Sequence, residues 1–377
     1  MIQRRSLAVA LAAPALCLTG LAVAAPVASA PAGSVDPIVI AVEAPLSGSQ
    51  SSNGKDMLRG VKLAVAQQNA RGGVLGRPVQ IVRIDDRADA DYALPSVDKA
   101  VAAGAIAIIG PYNSSVGVVN LGAYMEAEIV PLRMTSATAT EGFGGTTQPM
   151  VSQTSPVEIP YIASIAKKRV VMLVDPSAYT TTVANQTGKG LEKRGIDVVQ
   201  IMLDPTASSY DDAVAEALAL NPEVVYSSTY YPEGTKIAEA LAAANTTAKC
   251  FMNLANVDNT FVTEVGVAIA QSCAFSGVPA AGQFPGAETY VAQYEAAFGK
   301  TPDVWGSFTY DSAYVLFDAI ERAGTTRYAD VLAAVLATKG LEGATGTITI
   351  NPNSGNRRQA PMFILTVNDA GEFVIKK

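Results

Sequence analysis

Residues 38–65 read IVIAVEAPLSGSQSSNGKDMLRGVKLAV and contain the unit from which most of the chain is built. The run 38–42 is continuously apolar, which is typical of a strand that is buried on both faces. A polar loop follows over 47–54, and apolar residues then recur with helical spacing over 58–65. The glycine pair 72–73 ends this helix. The segment therefore predicts a strand, a loop and a helix in that order.

The alternation of strand and helix recurs in two rounds along the chain. Further apolar runs lie at 79–82, 106–109, 129–132, 170–174, 198–201, 224–226 and 251–252. An amphipathic helix is predicted over 308–323, and two further strands are predicted over 347–350 and 363–367. Because repeated alternation of this kind is typical of βαβ units, we predict an α/β fold with two doubly wound parallel-sheet lobes.

The first 30 residues have the features of an export signal. Two arginines precede an apolar stretch over 7–27, and the Ala-Ser-Ala sequence at 28–30 fits the small-residue cleavage pattern, with 22–24 as a second candidate. A membrane span and a lipid anchor at Cys17 are the alternatives. We predict a signal peptide over residues 1–30 and a location in the periplasm or on the outer face of the cytoplasmic membrane.

The composition argues against several classes of function. The chain contains no histidine, so it cannot build a Ser-His-Asp or Cys-His catalytic site or a histidine-ligated zinc site. Its net charge of -7 disfavours nucleic acid as a partner. It also lacks a G-x-S-x-G elbow and a phosphate-binding P-loop. We therefore expect a binding protein rather than an enzyme, with no metal and no cofactor.

The two cysteines outside the leader are expected to pair. Cys250 and Cys273 each open a strand-like run, and neighbouring parallel strands would bring them close together. Exported proteins tend to oxidise such pairs. We predict a disulfide, and two separate buried thiols are the alternative.

Small hydroxyl side chains gather in the loops that follow the predicted strands. In lobe 1 these loops are 47–52, 111–115 and 133–145, and in lobe 2 Tyr179 and the segment 229–233 occupy similar places. Ligands of open α/β sheets bind beyond the carboxyl ends of the strands. Each Ser or Thr taken alone could be a helix N-cap, but several such loops at one edge indicate a cradle for a small anion.

An ordered set of short motifs then makes the resemblance specific. The motifs are Pro45-Leu46-Ser47-Gly48, residues 54–60, residues 69–77, Asp85-Asp86, Ile109-Gly110, Ser136-Ala137-Thr138, Tyr230-Tyr231-Pro232-Glu233 and Tyr310-Asp311. Together they resemble the type I periplasmic solute-binding proteins of the branched-chain amino-acid group. The resemblance covers essentially the whole chain after the leader.

The resemblance implies a protein that closes on a small solute. Two lobes joined by a three-stranded hinge would bind an amino acid or a related small carboxylate, and a membrane ABC permease would then receive it. Lobe 1 is expected to comprise residues 36–155 plus 284–346. Lobe 2 is expected to comprise residues 156–283 plus 347–377.

The same resemblance implies which residues bind the ligand. The ligand carboxylate would be held by Ser114 or Ser115, Ser136, the backbone N–H of Ala137, and Thr138. Tyr179 and Tyr230 would close over the ligand from lobe 2. The choice between Ser114 and Ser115 stays open, because the helix after them carries a one-residue shift against the family pattern.

Several positions depart from that pattern. Family members that bind amino acids usually place an acid at the position that is Ala255 here, where it pairs with the ligand ammonium. An unpaired buried ammonium is costly, so either Asp258 replaces the missing acid or the ligand has no α-amine. Asn53 stands where an aromatic side chain often packs on the ligand. Gln153 stands where an Arg is common, and Asn113 where a Cys is common.

Arg133 lies at the end of a strand that should be buried, two residues before the hydroxyl-rich segment. One interpretation is an ion pair with an acid such as Glu126 or Glu141. The other is a direct bidentate contact with the ligand carboxylate.

Two rival functions fit parts of the sequence. A sensor on the same scaffold would pass ligand occupancy to a membrane partner, and the sequence does not separate it from a transport protein. An exported hydrolase using Ser, Asp or Tyr is disfavoured by the missing catalytic motifs.

Overall fold

The computed structural model of the protein describes residues 36–377, so the predicted signal peptide lies outside the described residues. Within that range, no helix combines the length and the apolar character that crossing a membrane requires.

The strands and helices alternate as the sequence predicts. The strands are β1 (Ile38–Ala44), β2 (Val79–Asp85), β3 (Ala107–Ile109), β4 (Val130–Leu132), β5 (Arg169–Val174), β6 (Asp197–Met202), β7 (Val224–Ser228), β8 (Lys249–Met252), β9 (Cys273–Gly277), β10 (Leu341–Gly343), β11 (Gly346–Ile348), β12 (Phe363–Val367) and β13 (Phe373–Ile375). The helices are α1 (Ser51–Ala70), α2 (Ala93–Ala102), α3 (Ser114–Glu126), α4 (Val151–Ile165), α5 (Ala178–Glu192), α6 (Asp211–Ala219), α7 (Tyr231–Ala243), α8 (Asn259–Val265), α9 (Val267–Ser272), α10 (Glu288–Phe298), α11 (Val304–Ala323) and α12 (Tyr328–Leu336).

The first sheet is parallel and has the strand order β2-β1-β3-β4. In its centre Ile40 pairs with Ile81 on one side and with Ala107 on the other. Helices cover both faces, so β1 is buried on both faces, which explains its continuous apolar run.

Helices α1 and α11 pack against each other beside the first sheet. A Cβ on Gly60 would lie 2.0 Å from the carbonyl oxygen of Gly306, so only glycine fits at this crossing. The close approach of the two helices fixes the N-terminal turn of α11, which carries Trp305.

The second sheet has seven strands in the order β13-β12-β9-β8-β7-β5-β6. Strands β5 to β9 pair in parallel, whereas β12 pairs antiparallel with β9 and with β13. The parallel strands of both sheets, covered by helices, confirm the predicted α/β fold. The strand predicted over 347–350 is β11, and it pairs with β10 in a separate two-stranded hairpin.

The chain passes between the two sheets three times. The crossings lie between β4 and α4, between β9 and α10, and between β11 and β12. Three passes agree with the expected three-stranded hinge.

The predicted disulfide is present. Cys250 and Cys273 are directly paired positions on β8 and β9, their Cα atoms lie 4.5 Å apart, and their sulfurs are bonded. The parallel pairing of the two strands therefore creates the cross-link, as predicted.

Candidate functional site

A cavity with an empty volume of about 250 Å³ lies where the carboxyl ends of the parallel strands of the two sheets meet. It is lined by Tyr112, Ser114, Met134, Ser136, Gln148, Tyr179, Tyr230, Leu254, Ala255 and Trp305. Most of these residues follow the ends of β3, β4, β5, β7 and β8. Only a small space is left between these side chains, so the cavity suits a small solute.

Ser114 is the first residue of α3 and presents its hydroxyl group to the cavity. Its Oγ accepts hydrogen bonds from the backbone N–H groups of Ser136 and Ala137, each at 3.2 Å. Its own hydrogen has no acceptor among the residues that the structure describes. Two donors polarise this hydroxyl, so its hydrogen is free to be donated to a ligand oxygen.

Ser115 makes a different contact from Ser114. Its Oγ accepts a hydrogen bond at 3.0 Å from the backbone N–H of Ala178, the first residue of α5. Ser115 therefore joins the two lobes, and Ser114 contributes to the cavity wall.

Ser136 and Gln148 form a second polar group on the wall. The Ser136 hydroxyl donates to the carbonyl oxygen of Pro149 at 2.7 Å and accepts from the Gln148 side-chain amide at 3.1 Å. Gln148 is buried, and its Oε1 has no partner among residues 36–377. That oxygen is therefore free to accept a hydrogen bond from a ligand.

Four aromatic rings form much of the remaining wall. The ring centroids of Tyr112 and Trp305 are 5.3 Å apart, those of Tyr112 and Tyr230 are 6.1 Å apart, and those of Tyr179 and Tyr230 are 6.0 Å apart. Burial raises the pKa of all three tyrosines, so their phenols are neutral at physiological pH. The rings are inclined to one another and offer apolar faces and edges to a ligand.

Two polar atoms on the aromatic wall also lack partners in the described part of the chain. They are the Tyr179 hydroxyl and the indole nitrogen of Trp305. Both side chains are buried, and a buried polar group without a partner is destabilising. A bound ligand could satisfy them.

Three helices begin at the cavity. Ser114 is the first residue of α3, Tyr179 is the second residue of α5, and Tyr230 is the N-cap of α7. A helix N-terminus carries partial positive charge and free N–H groups. Their convergence favours an anion in the cavity without any basic side chain.

No side chain on the cavity wall is charged at neutral pH. Ala255 lies on the wall, in a 3₁₀ turn over Leu254–Asn256. Asp258, the candidate replacement for the missing acid, accepts from the backbone N–H of Thr260 at 2.6 Å and from the Ser52 hydroxyl at 3.0 Å. Asp258 therefore caps α8 and contacts lobe 1, and it does not line the cavity.

The structure brings five of the nine predicted ligand-binding residues together on the wall. They are Ser114, Ser136, Tyr179, Tyr230 and Ala255. Ala137 lies directly behind it, with its N–H bonded to Ser114.

Three predicted residues stand elsewhere. Ser115 contacts lobe 2, as described above. Thr138 begins a 3₁₀ turn whose outer side faces solvent, so its side chain is exposed. Asn53 is buried on α1, and neither of its side-chain polar atoms has a partner in the described chain.

Arg133 matches neither of its two interpretations. Its guanidinium donates to the carbonyl oxygens of Phe143, Gly144 and Ser354 at 3.0–3.2 Å, and to the side-chain oxygen of Asn356. No carboxylate within residues 36–377 forms an ion pair with it. Burial lowers its pKa to about 10. Arg133 therefore connects the segment between β4 and α4 with the segment between β11 and β12.

Five residues of the wall were not predicted from the sequence: Tyr112, Met134, Gln148, Leu254 and Trp305. Tyr112 lies inside the segment 111–115 that was already singled out, so its position carried a usable signal. Trp305 is the sole tryptophan of the chain and reaches the cavity from the first turn of α11, far in sequence from the other wall residues. No local pattern indicates such a contact.

Residues 36–377 hold no group of three or more acidic or cysteine side chains arranged for a metal ion. The cavity wall offers neutral hydrogen-bonding groups and aromatic side chains.

Comparisons with known proteins relate the chain to one family. A family model described as "Periplasmic binding protein" matches residues 37–372. The chain is 26% identical over 305 residues to "Leu/Ile/Val-binding protein homolog 2" of Brucella abortus, covering 79% of this chain and 82% of that protein. It is 26% identical over 360 residues to a Leu/Ile/Val-binding protein of Rhizobium johnstonii, covering 93% and 96%.

Solved structures show the same fold. A leucine-binding protein from Thermotoga maritima superimposes with a TM-score of 0.82 at 22% identity, covering 90% of this chain and 98% of that chain. A branched-chain amino acid binding protein from Streptococcus pneumoniae, solved with isoleucine, gives a TM-score of 0.81 at 19% identity, covering 90% and 100%. A solute-binding protein from Rhodopseudomonas palustris, solved with 3,4-dihydroxybenzoic acid, gives 0.79 at 18% identity, covering 89% and 95%.

Proposed function

Because the chain belongs to the periplasmic binding protein family, we propose that it binds a small carboxylate outside the cytoplasm and delivers it to an ABC permease. The family is one of solute-binding proteins rather than enzymes, and its members work outside the cytoplasm. Family membership alone does not specify the class of ligand or the permease, and these are what we propose.

The observation that carries the proposal is the arrangement around Ser114. Its polarised hydroxyl lies beside the N-termini of three helices in a cavity whose wall has no basic side chain. Such a site holds a carboxylate through charge-assisted hydrogen bonds and helix dipoles. Because no ion pair has to be broken, the ligand can also leave readily.

The relatives support a carboxylate from two directions. Proteins named for leucine, isoleucine and valine share the sequence pattern, and a structural neighbour was solved with an aromatic acid. The ligands in these names differ in the group attached to the carboxylate and in whether they carry an amine, but each carries a carboxylate.

Contacts between the lobes support a closing movement. The Ser52 hydroxyl on α1 lies 3.0 Å from Asp258 and 3.1 Å from the Tyr231 hydroxyl, both on the opposite lobe. The Tyr231 hydroxyl also donates to the carbonyl oxygen of Ser49. Since these contacts form only when the lobes meet, the ligand and the contacts stabilise the same closed state. A permease can then distinguish loaded from empty protein by shape.

Binding is tested directly on purified protein that has been unfolded and refolded to remove any bound ligand. Thermal-shift and calorimetric titrations with amino acids, 2-oxo acids, aliphatic acids and benzoates should identify at least one small carboxylate that stabilises the protein. Neutral amides of the same acids are the control, and they should not bind. If no small acid stabilises the refolded protein, the proposal is wrong.

Transport is tested separately in cells. Deletion of the gene should abolish uptake of the labelled ligand, and the wild-type gene should restore it. Normal uptake in the deletion strain would instead favour a sensor.

A further inference from the structure

We infer that the cavity selects small carboxylic acids without an ammonium group, and that it discriminates against α-amino acids. This inference rests on the proposed function and names the ligand class of the same site. It is carried by the charge of the cavity, the positions of nearby acids and the shape of the wall.

The charge of the cavity disfavours a cation. The N-termini of α3, α5 and α7 all lie at the wall, and no wall side chain is acidic. The positive ends of three helix dipoles stabilise a carboxylate and destabilise an ammonium group beside it. For a zwitterionic ligand, the helix N-termini would therefore attract the carboxylate and repel the ammonium group.

The nearby acids are already engaged or lie off the wall. Asp175 accepts from the Ser177 N–H at 2.9 Å and from the Thr180 hydroxyl at 3.2 Å. Asp258 accepts from Thr260 and Ser52, as described above. Glu233, on the first turn of α7, also does not line the cavity.

Ala255 occupies the place on the wall where an acid could reach a ligand ammonium. Its side chain is a single methyl group, and it lies beside Leu254 in a buried turn. An ammonium group here would be desolvated without a counter-charge, which is strongly unfavourable.

The wall also fits an acid with an apolar or aromatic body. The rings of Tyr112, Tyr230 and Trp305 line the cavity, and Met134 and Leu254 add further apolar surface. The free Oε1 of Gln148 can accept from a hydroxyl group on the ligand. A hydroxylated aromatic acid would satisfy these features together.

The experiment uses pairs of ligands that differ only in the α-amine. Calorimetry on the refolded protein compares 3-phenylpropanoate with phenylalanine and 4-methylpentanoate with leucine. We expect the amine-free member of at least one pair to bind at least tenfold more tightly. Equal or tighter binding of the amino acids would overturn the inference and leave the proposed function intact. Failure of all small acids to bind would reject the proposed function itself. Tight binding of glycine betaine, whose quaternary ammonium could stack on the rings, would also overturn the inference.

Two matched variants test whether the missing acid at position 255 causes this ligand preference. Ala255→Asp adds a carboxylate at the wall and should shift the preference toward the amino acid by tenfold or more. Ala255→Asn adds a side chain of nearly the same size without charge and should not shift it. An equal shift in both variants would overturn the inference. Should Ala255→Asp fail to fold, the wild-type ligand pairs still decide the matter.

Discussion

At the scale of single residues, the start of α3 places the hydroxyl groups of Ser114 and Ser115 in different surroundings. Ser114 faces the cavity, whereas Ser115 bonds to the start of α5. The sequence places both at the end of β3, but it does not give the rotation of α3 about its axis. That rotation depends on packing of α3 against residues distant in sequence, which explains why the choice could not be made from sequence alone.

Ser114→Ala should weaken ligand binding by about 1–3 kcal/mol, because one charge-assisted hydrogen bond to the carboxylate is lost. Calorimetry with the identified ligand measures the change. Thr138→Val is the matched control, because that side chain is exposed, and its affinity should change by less than about 0.5 kcal/mol. Equal losses in both variants would contradict the assignment of Ser114.

At the scale of helices and strands, most elements follow from local pattern, but their pairing does not. The apolar runs at 38–42 and 170–174 become β1 and β5, since strands covered on both faces require apolar side chains throughout. The short strand β10 has no such run and ends in Gly343, so the sequence does not indicate it as the partner of β11. Trp305 reaches the cavity for a similar long-range reason, through the crossing of α1 and α11.

The Cys250–Cys273 bond closes a loop with a sequence separation of 23 residues between β8 and β9. Replacing both cysteines with serine should lower the free energy of unfolding by about 3 kcal/mol, because the unfolded chain regains the entropy of that loop. Denaturant unfolding measures the change. Reducing agent should destabilise the wild type by a similar amount and leave the double variant unchanged. A loss below about 0.5 kcal/mol would show that the bond contributes little to stability.

Tyr231→Phe should favour the open state, because it removes the hydroxyl group that contacts Ser49 and Ser52 across the lobes. Tyr231 does not line the cavity, so a loss of affinity of about 0.5–1.5 kcal/mol would come from closure alone. Small-angle scattering of the loaded protein should show a larger radius of gyration. Tyr210→Phe is the control, since the Tyr210 hydroxyl donates to Asp204 within one lobe. Identical behaviour of the two variants would argue against a role for Tyr231 in closure.

At the scale of the whole molecule, buried acids that form no salt bridge within the described chain set the response to pH. Burial raises the pKa of Asp86 from 3.8 to about 7, and it also raises that of the neighbouring Glu43. Burial raises the pKa of Asp311 to about 6. Because the folded protein holds these protons more tightly than the unfolded chain does, their contribution to stability is complete below about pH 4. It is lost as the pH rises through about 6 to 7.

Asp86→Asn should therefore flatten the pH dependence of unfolding. The amide oxygen can still accept the hydrogen bond from Ala88, but the side chain no longer titrates. The stability of the variant relative to the wild type should rise between pH 4 and pH 7 and then stay constant, as measured by thermal unfolding at a series of pH values. A difference independent of pH would show that Asp86 keeps an ordinary pKa in the folded protein.

Arg133 and Arg357 have a consequence for how the protein can bend. Arg133 bonds to Gly144 and Ser354, and Arg357 bonds to the carbonyl oxygens of Thr147 and Thr347, so two of the three linking segments are cross-braced. A braced pair of ribbons resists twisting and sliding but still flexes about one line. The two lobes should therefore open and close by rotation about a single hinge axis. A bulky ligand would then be excluded by the limited opening of the cleft as well as by the shape of the cavity.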